Sequence, residues 1–406
     1  MSTSLLAPSC IALQPVCDRQ FNHVADELIY RPNETDEGVP GSGADGLRSS
    51  ARAYITAFYE IGLAALVGTR NLLVPVPEQW VLDPEIMALP TDKTTVVLPA
   101  GLVPDAPALA ALARLREQGY TLLADDVLID RNPDALLERV QIVRIDARDT
   151  EVLVEKVRRY ARENVSLMAC QLQTLEQYEQ CRDLPFSSFQ GDFYAIAHPV
   201  AGRAIKRAGN RAASLQLLRE LYLPNPELKR IESLLVQDPH LCALLFKRAN
   251  AASGERLHRV TKLQQVIMML GFDKIRALTI TLLLAHNEPV KRFLVLKALV
   301  RAAMARRLAR HARGVDPDTA FTAGFFSMME QIEGTPLEAL LKEARLDPVL
   351  EDALLRYQGE LGKVLKLVLA FENARLDREA VTRLDQLNGD YLASVAWAQE
   401  IMAIAE

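Results

Sequence analysis

Between residues 11 and 199, short apolar runs of strand length alternate with amphipathic helical stretches; beyond residue 201 the strand signal stops. The runs are residues 72–76, 95–98, 121–124, 142–145 and 166–169, and the helical stretches include 51–62, 106–118 and 151–163. A short run that is apolar on both faces has to be buried on both, and a helix between successive runs lets them lie parallel. Repeated this often, the pattern predicts a (β/α) TIM-like barrel whose functional side chains stand at the C-terminal strand ends. Residues 33–46, rich in Gly, Asp and Glu, read as a loop.

The second half reads as all-helical. Asn225-Pro226-Glu227 and Asp238-Pro239 each offer an N-cap followed by proline, and Ile231, Leu234 and Leu235 recur at helical spacing. Further helices are expected over 263–270, 274–285, 291–312, 319–329, 337–344, 349–356, 361–375, 378–387 and 390–404. The last two are parted by the turn signal Asn388-Gly389. Phe325, Phe326, Met328 and Met329 are expected to fill a core. At roughly 150 residues per domain, a chain of 406 residues holds two or three domains. The change of texture divides it into 1–202 and 203–406, with the basic stretch 201–211 as the junction.

The formal charge of −5 provides no overall attraction to nucleic acid or an anionic membrane. One local exception is Lys291, Arg292, Lys297, Arg301, Arg306, Arg307, Arg310 and Arg313, a stretch with no acidic residue. At about 100° per residue these charges spread around a helix instead of forming a stripe, which argues for a solvated helix and against a nucleic-acid ligand. No run of about 18 apolar residues occurs, so no membrane span is expected. The five cysteines include no C-x-x-C pair, which speaks against structural zinc and a disulfide framework and for a reducing cytoplasm.

Ordered landmarks then suggest a family. Leu13-Gln14-Pro15-Val16 with Asp18, Asp26-Glu27-Leu28-Ile29-Tyr30-Arg31, Leu123-Ala124-Asp125-Asp126, Val143-Arg144-Ile145-Asp146 and Phe189-Gln190-Gly191-Asp192-Phe193 follow one another in the first half. This half resembles EAL domains, barrel phosphodiesterases that hydrolyse cyclic di-GMP. The second half is similar to the HDOD domain through Leu223-Pro224, Gln237-Asp238-Pro239, Arg248-Ala249-Asn250-Ala251, Leu270-Gly271 and the stretch 320–327. The whole chain thus resembles two-domain EAL/HDOD signalling proteins: α/β plus all-α, an EAL-type barrel followed by a helical HDOD domain.

The resemblance implies a pocket of Glu27, Arg31, Asp125, Asp126, Arg144, Asp146 and Gln190. Glu27 matches the EAL glutamate, Asp125 and Asp126 the paired aspartates, and Arg31 the phosphate-contacting arginine. Arg144 replaces a lysine. Pro75 stands where the family has an asparagine, Pro99 where it has a glutamate, and Cys170 and Gln173 where later glutamates are expected. Phosphodiester hydrolysis by metals needs several hard oxygen ligands, and proline, a thiol or an amide cannot restore the missing carboxylate charge. A shift of alignment does not help, since neither 72–77 nor 96–103 contains an acid or amide. The HD metal motif is also missing: no His-Asp dipeptide occurs, and His240, His258, His286 and His311 lack a histidine partner at i, i+4.

The expectation is therefore a catalytically inactive cytoplasmic signalling protein without metal or cofactor. It acts by recognising a signalling protein partner, and homodimerisation is compatible with that role; the resemblance links it to cyclic di-GMP and to motility or biofilm behaviour. Two alternatives stay open: a cyclic di-GMP receptor using Arg31, and a weak metal-dependent phosphodiesterase using Glu27, Asp125 and Asp126. On structural grounds alone, Glu27 and Arg31 form an ion pair closing the barrel, while Asp125 and Asp126 cap a helix or face solvent.

Overall fold

Eight strands, β1 to β8, close into a barrel in chain order. They are β1 Ser9–Asp18, β2 His23–Pro32, β3 Asn71–Pro75, β4 Thr94–Val97, β5 Thr121–Asp125, β6 Ile142–Asp146, β7 Ser166–Leu172 and β8 Phe186–Gly191. The computed structural model describes residues 9–32, 55–162, 164–194, 216–218, 220–221, 223, 225–235, 245, 249, 263–285, 289–333, 336–344 and 348–405. β1 runs antiparallel to both neighbours, β2 and β8, and the other adjacent pairs are parallel.

The five strands expected from apolar runs, β3 to β7, coincide with the observed ones to within a few residues. β1, β2 and β8 carry polar residues among apolar ones and do not form such runs. Asp105 caps the helix Ala106–Glu117, its side chain accepting from Ala108 N at 2.9 Å. Thr174 and Gln177 form a capping box at the start of Leu175–Arg182. The helix expected over 51–62 is a correction: one segment of π-helix, Ile55–Ile61, precedes Leu63–Val67, and Gly62 with φ 90° separates them. Residues 51–54, like the 33–46 loop and the 201–211 junction, lie outside the described residues.

Val16, Ala25, Leu73, Val97, Leu123 and Met168 form an apolar cluster inside the barrel, with Ile142 packed against it. Side chains two residues apart on a strand share a face. Two residues further along, the chain therefore places Glu27, Pro75, Pro99, Asp125, Arg144 and Cys170 at the next level toward the C-terminal mouth. The apolar layer supports the polar one.

The chain divides into two compact units: residues up to Ile196 with Ala370–Leu392, and Ala197–Leu369 with Ala393–Glu406. This differs from a single cut at residue 202 in that a distant segment returns to the barrel unit. β8 pairs with β1 only at Val16–Asp18, so the ladder stops short of Ile11 and Leu13. Asn388 Oδ1 accepts from Ile11 N at 2.9 Å and the Tyr391 hydroxyl from Leu13 N at 3.0 Å. Within the segment Phe371, Leu376, Leu387 and Leu392 are buried.

The second unit is helical. The helix Leu263–Ala285 is interrupted at Gly271 (φ 75°, ψ 159°), giving the two expected segments. The helix near Asn225 starts later than the cap signal suggests, at Leu228. Phe325, Phe326, Met328 and Met329 are buried. Gly324 lies at a close helix crossing, where an added Cβ would stand 2.8 Å from Ala302 Cα.

Two expectations are corrected. The helix Leu384–Ala405 runs straight through Asn388-Gly389. Its buried apolar residues and the bond from Ile11 to Asn388 hold the helical conformation against a local turn preference. The basic helix, Pro289–Ala309, is not a solvated one: Arg301 is 6% exposed and donates to Ser327 Oγ at 2.9 Å. Arg306 donates to Asp273 at 2.7 Å and also to Asp318. Both acids come from other helices, invisible within the basic stretch itself, although Lys297, Arg310 and Arg313 are exposed. Asp238-Pro239, His240, His258 and His286 lie outside the described residues, and His311 is exposed.

Candidate functional site: an arginine-bound carboxylate cluster

At the barrel mouth one guanidinium gathers two carboxylates. Arg144 Nη1 donates to Glu27 Oε1 and Oε2 at 2.7 and 2.8 Å. From the same side chain Nε donates to Asp125 Oδ1 at 2.5 Å and Nη2 to Oδ2 at 3.3 Å. Gln190 Nε2 completes the group by donating to Glu27 Oε2 at 2.5 Å. Thus β2, β5, β6 and β8 each contribute one side chain. Burial disfavours the Arg144 charge, but the attraction of Glu27 and the bonds and charge of Asp125 outweigh it and raise its pKa.

The other expected pocket residues divide away from this group. Asp126 is buried, accepting from Val127 N at 2.8 Å and from Lys156 Nζ at 2.6 Å. That bond, more than any other factor, raises the Lys156 pKa. Asp146 binds Arg148, whose hydrogen bonds hold its carboxyl below the usual range. Arg31 Nη1 donates to the Glu372 backbone carbonyl at 2.8 Å. The expected Glu27–Arg31 ion pair is therefore replaced: Glu27 binds Arg144. Asp125 precedes the short helix Asp126–Ile129 without a side-chain cap bond, because its oxygens face Arg144.

Sequence reasoning missed a second buried acid beside Glu27. Asp26 is 2% exposed and accepts from His23 Nε2 at 2.8 Å and from Arg70 Nε and Nη2 at 3.2 and 3.1 Å. Burial alone would raise its pKa; His23 and Arg70 together lower it. Adjacent acids on a strand point to opposite faces, so Asp26-Glu27 could have signalled two separate networks.

The donors do not fit a two-ion oxygen site. Glu27 and Asp125 surround a guanidinium, and Pro75 and Pro99 offer no side-chain ligand. Cys170 is a buried thiol pushed up to about 12 by burial, against the opposing effect of Arg144. Gln173 is exposed, its backbone amide bonded to Gln177 Oε1 at 2.8 Å. Among the described residues no group of three or more His, Cys, Asp or Glu side chains is placed to hold a metal ion.

The barrel, closed from eight strands, and the helical second unit define a two-part protein, and the family comparison assigns the second part. The HDOD domain family matches residues 212–332. The match to the HDOD family thus falls in the helical second unit, and the first unit is the closed eight-stranded barrel. It is similar over nearly its full length to two named relatives. Uncharacterized protein YuxH of Bacillus subtilis is 26% identical over 411 residues, 97% of this chain and 98% of the relative. Cyclic di-GMP phosphodiesterase CdgJ of Vibrio cholerae is 25% identical over 409 residues, covering 96% and 92%. Among solved structures, an EAL domain protein from Listeria monocytogenes gives a TM-score of 0.36 at 17% identity, over 46% of this chain and 87% of that one. A standalone versatile EAL protein from Vibrio cholerae, in its c-di-GMP-bound form, gives 0.34 at 16% identity, over 48% and 93%. No helix among the described residues is long and apolar enough to cross a membrane.

Proposed function

We propose that this chain is a catalytically silent signalling protein that acts by protein recognition within cyclic di-GMP-linked regulation of motility or biofilm behaviour. One observation carries the reading: the Arg144 guanidinium lies between Glu27 and Asp125, where a phosphodiesterase needs those oxygens for cations. A tethered positive charge satisfies both carboxylates while offering neither a Lewis acid nor activated water. In this proposal the barrel half, 1–202, and the HDOD half, 203–406, serve as recognition surfaces for a signalling partner in the cytoplasm, without metal or cofactor, and self-association is compatible with it. The name of the Vibrio cholerae relative favours a competing reading, a metal-dependent phosphodiesterase.

Incubation with cyclic di-GMP and manganese or magnesium, followed by chromatography for the linear dinucleotide, separates the two. No turnover is expected. Hydrolysis that disappears in Glu27→Ala would overturn the proposal.

A further inference from the structure

β1 has a strand edge that the barrel ladder does not complete. β8 pairs with it only at Val16–Asp18, and nearer the start of the strand the amides of Ile11 and Leu13 face that same side. Pro15, next in the row, has no amide hydrogen, so the donors are interrupted between the part that β8 covers and the part that it leaves. Charged side chains commonly keep such an edge from pairing with another chain, and residues 9–17 hold none. The run Cys10-Ile11-Ala12-Leu13 is apolar throughout.

A helix covers this edge instead. Asn388 and Tyr391, three apart on one face of the helix Leu384–Ala405, accept from Ile11 N at 2.9 Å and Leu13 N at 3.0 Å. Phe371 packs against Tyr391 with ring centroids 5.5 Å apart and steadies it there. A further strand would lie about 4.8 Å from β1 in the hydrogen-bonding direction, the space into which these two side chains reach. Each amide is a single donor, so the helix and a strand exclude each other at the same two groups.

The edge is also self-complementary. Paired antiparallel about Ala12, two copies of β1 set Ile11 of one opposite Leu13 of the other, and residues paired in this way exchange both N–H···O bonds. The two amides now held by side chains would then be satisfied by carbonyls, with apolar side chains opposite one another.

We propose that residues 370–392 are an intramolecular cap on the β1 edge, and that β1, once uncapped, pairs with β1 of a second copy of this chain. The cap comes from a part of the sequence nearly 180 residues beyond Gly191, so residues 1–202 do not complete their own barrel wall. Catalytic silence is not required for this role.

The full chain is compared as unaltered protein, as Asn388→Ala/Tyr391→Ala, and as that variant with Leu13→Pro, which removes an amide on the capped side and leaves the β2 ladder its donors. Sedimentation velocity over a concentration series measures self-association, and hydrogen exchange follows the Ile11 and Leu13 amides at both ends of the series. The expected result is self-association at least tenfold tighter in the cap variant than in the unaltered protein, with both amides exchanging fast when dilute and slowly again when associated. Adding Leu13→Pro should abolish the gain. Equal self-association of the unaltered and cap-variant proteins overturns the proposal. So does a gain that survives Leu13→Pro, or one that leaves the two amides exchanging fast in the associated form, since the copies then meet elsewhere. If a variant fails to fold, Asn388→Ala/Tyr391→Phe, which removes both acceptors and keeps the ring, faces the same association and exchange criteria.

Discussion

Arg144 on β6 and Glu27 on β2 are 117 residues apart in sequence, yet one Nη1 of the arginine bonds both oxygens of the glutamate. The pair spans the barrel interior directly above its apolar layer, with side-chain exposures of 13% and 8%. Asp125 lies on the other side of the guanidinium, which makes Arg144 the common partner of two acids. Removing it leaves both carboxylates facing each other around an empty centre.

Arg144→Met should therefore be strongly destabilising. Leaving a buried charge without its partner costs about 3–5 kcal/mol. Adding Glu27→Gln to Arg144→Met should recover part of the loss, because the neutral amide no longer needs a cation. Urea unfolding of the two variants beside the unaltered protein measures both changes. Equal stability of Arg144→Met and the unaltered protein would remove the ion cluster as a structural element.

Acid sensitivity should report Asp26. Its folded pKa lies below the ordinary value of 3.8, because His23 and Arg70 together outweigh burial. A depressed carboxylate contributes its stability fully above the unfolded pKa and loses it as pH falls through the folded one. The stability gap between the unaltered protein and Asp26→Asn should accordingly shrink as pH falls below about 4. Asp146 and Asp318 are also depressed, so the difference between the two proteins, rather than either curve alone, isolates Asp26. A gap that widens as pH falls below about 4 contradicts the assignment.

The alternation of apolar runs revealed β3 to β7 because those strands are covered on both faces and have little polar content. β1 and β2 escaped it: each is ten residues long and mixes acids, a proline or basic residues with its apolar side chains. The identities of Glu27, Asp125 and Arg144 were legible, but their mutual bonding was not, since it depends on strands β2, β5 and β6 converging at one level. The return of 370–392 was hidden for the same reason. A helix that covers a distant sheet edge looks locally like any other amphipathic helix, and Asn388-Gly389 reads as a turn until Asn388 is seen bonded to Ile11.

The four described thiols should be inert in the folded protein. Burial pushes Cys10 and Cys181 up to about 11 and Cys17 and Cys170 up to about 12. Only the thiolate attacks, so alkylation by iodoacetamide at mildly alkaline pH should be on the order of a hundredfold slower in the native protein than in urea. Peptide mass mapping reads each site separately. Rapid native labelling of Cys170, the thiol near Arg144, would mean that the mouth of the barrel opens far enough to solvate it.

Two glycines should respond to alanine with opposite signs. At Gly191 an added Cβ would stand 2.0 Å from the Leu172 carbonyl oxygen, and that oxygen belongs to backbone in the neighbouring strand, so it cannot swing aside. Gly191→Ala should cost ~3 kcal/mol or more, as strands β7 and β8 are forced apart at their bulge. Gly389 sits inside the helix Leu384–Ala405 and, apart from its chain neighbours and the helix's own backbone, no atom lies within 4 Å of the new methyl group. Gly389→Ala should stabilise the protein by about 0.5–1 kcal/mol, because alanine loses less backbone freedom on entering a helix. Thermal and urea unfolding of both variants check the pair. If Gly389→Ala is destabilising, the chain turns at Asn388-Gly389 after all, and the helix that carries Tyr391 to Leu13 is broken there.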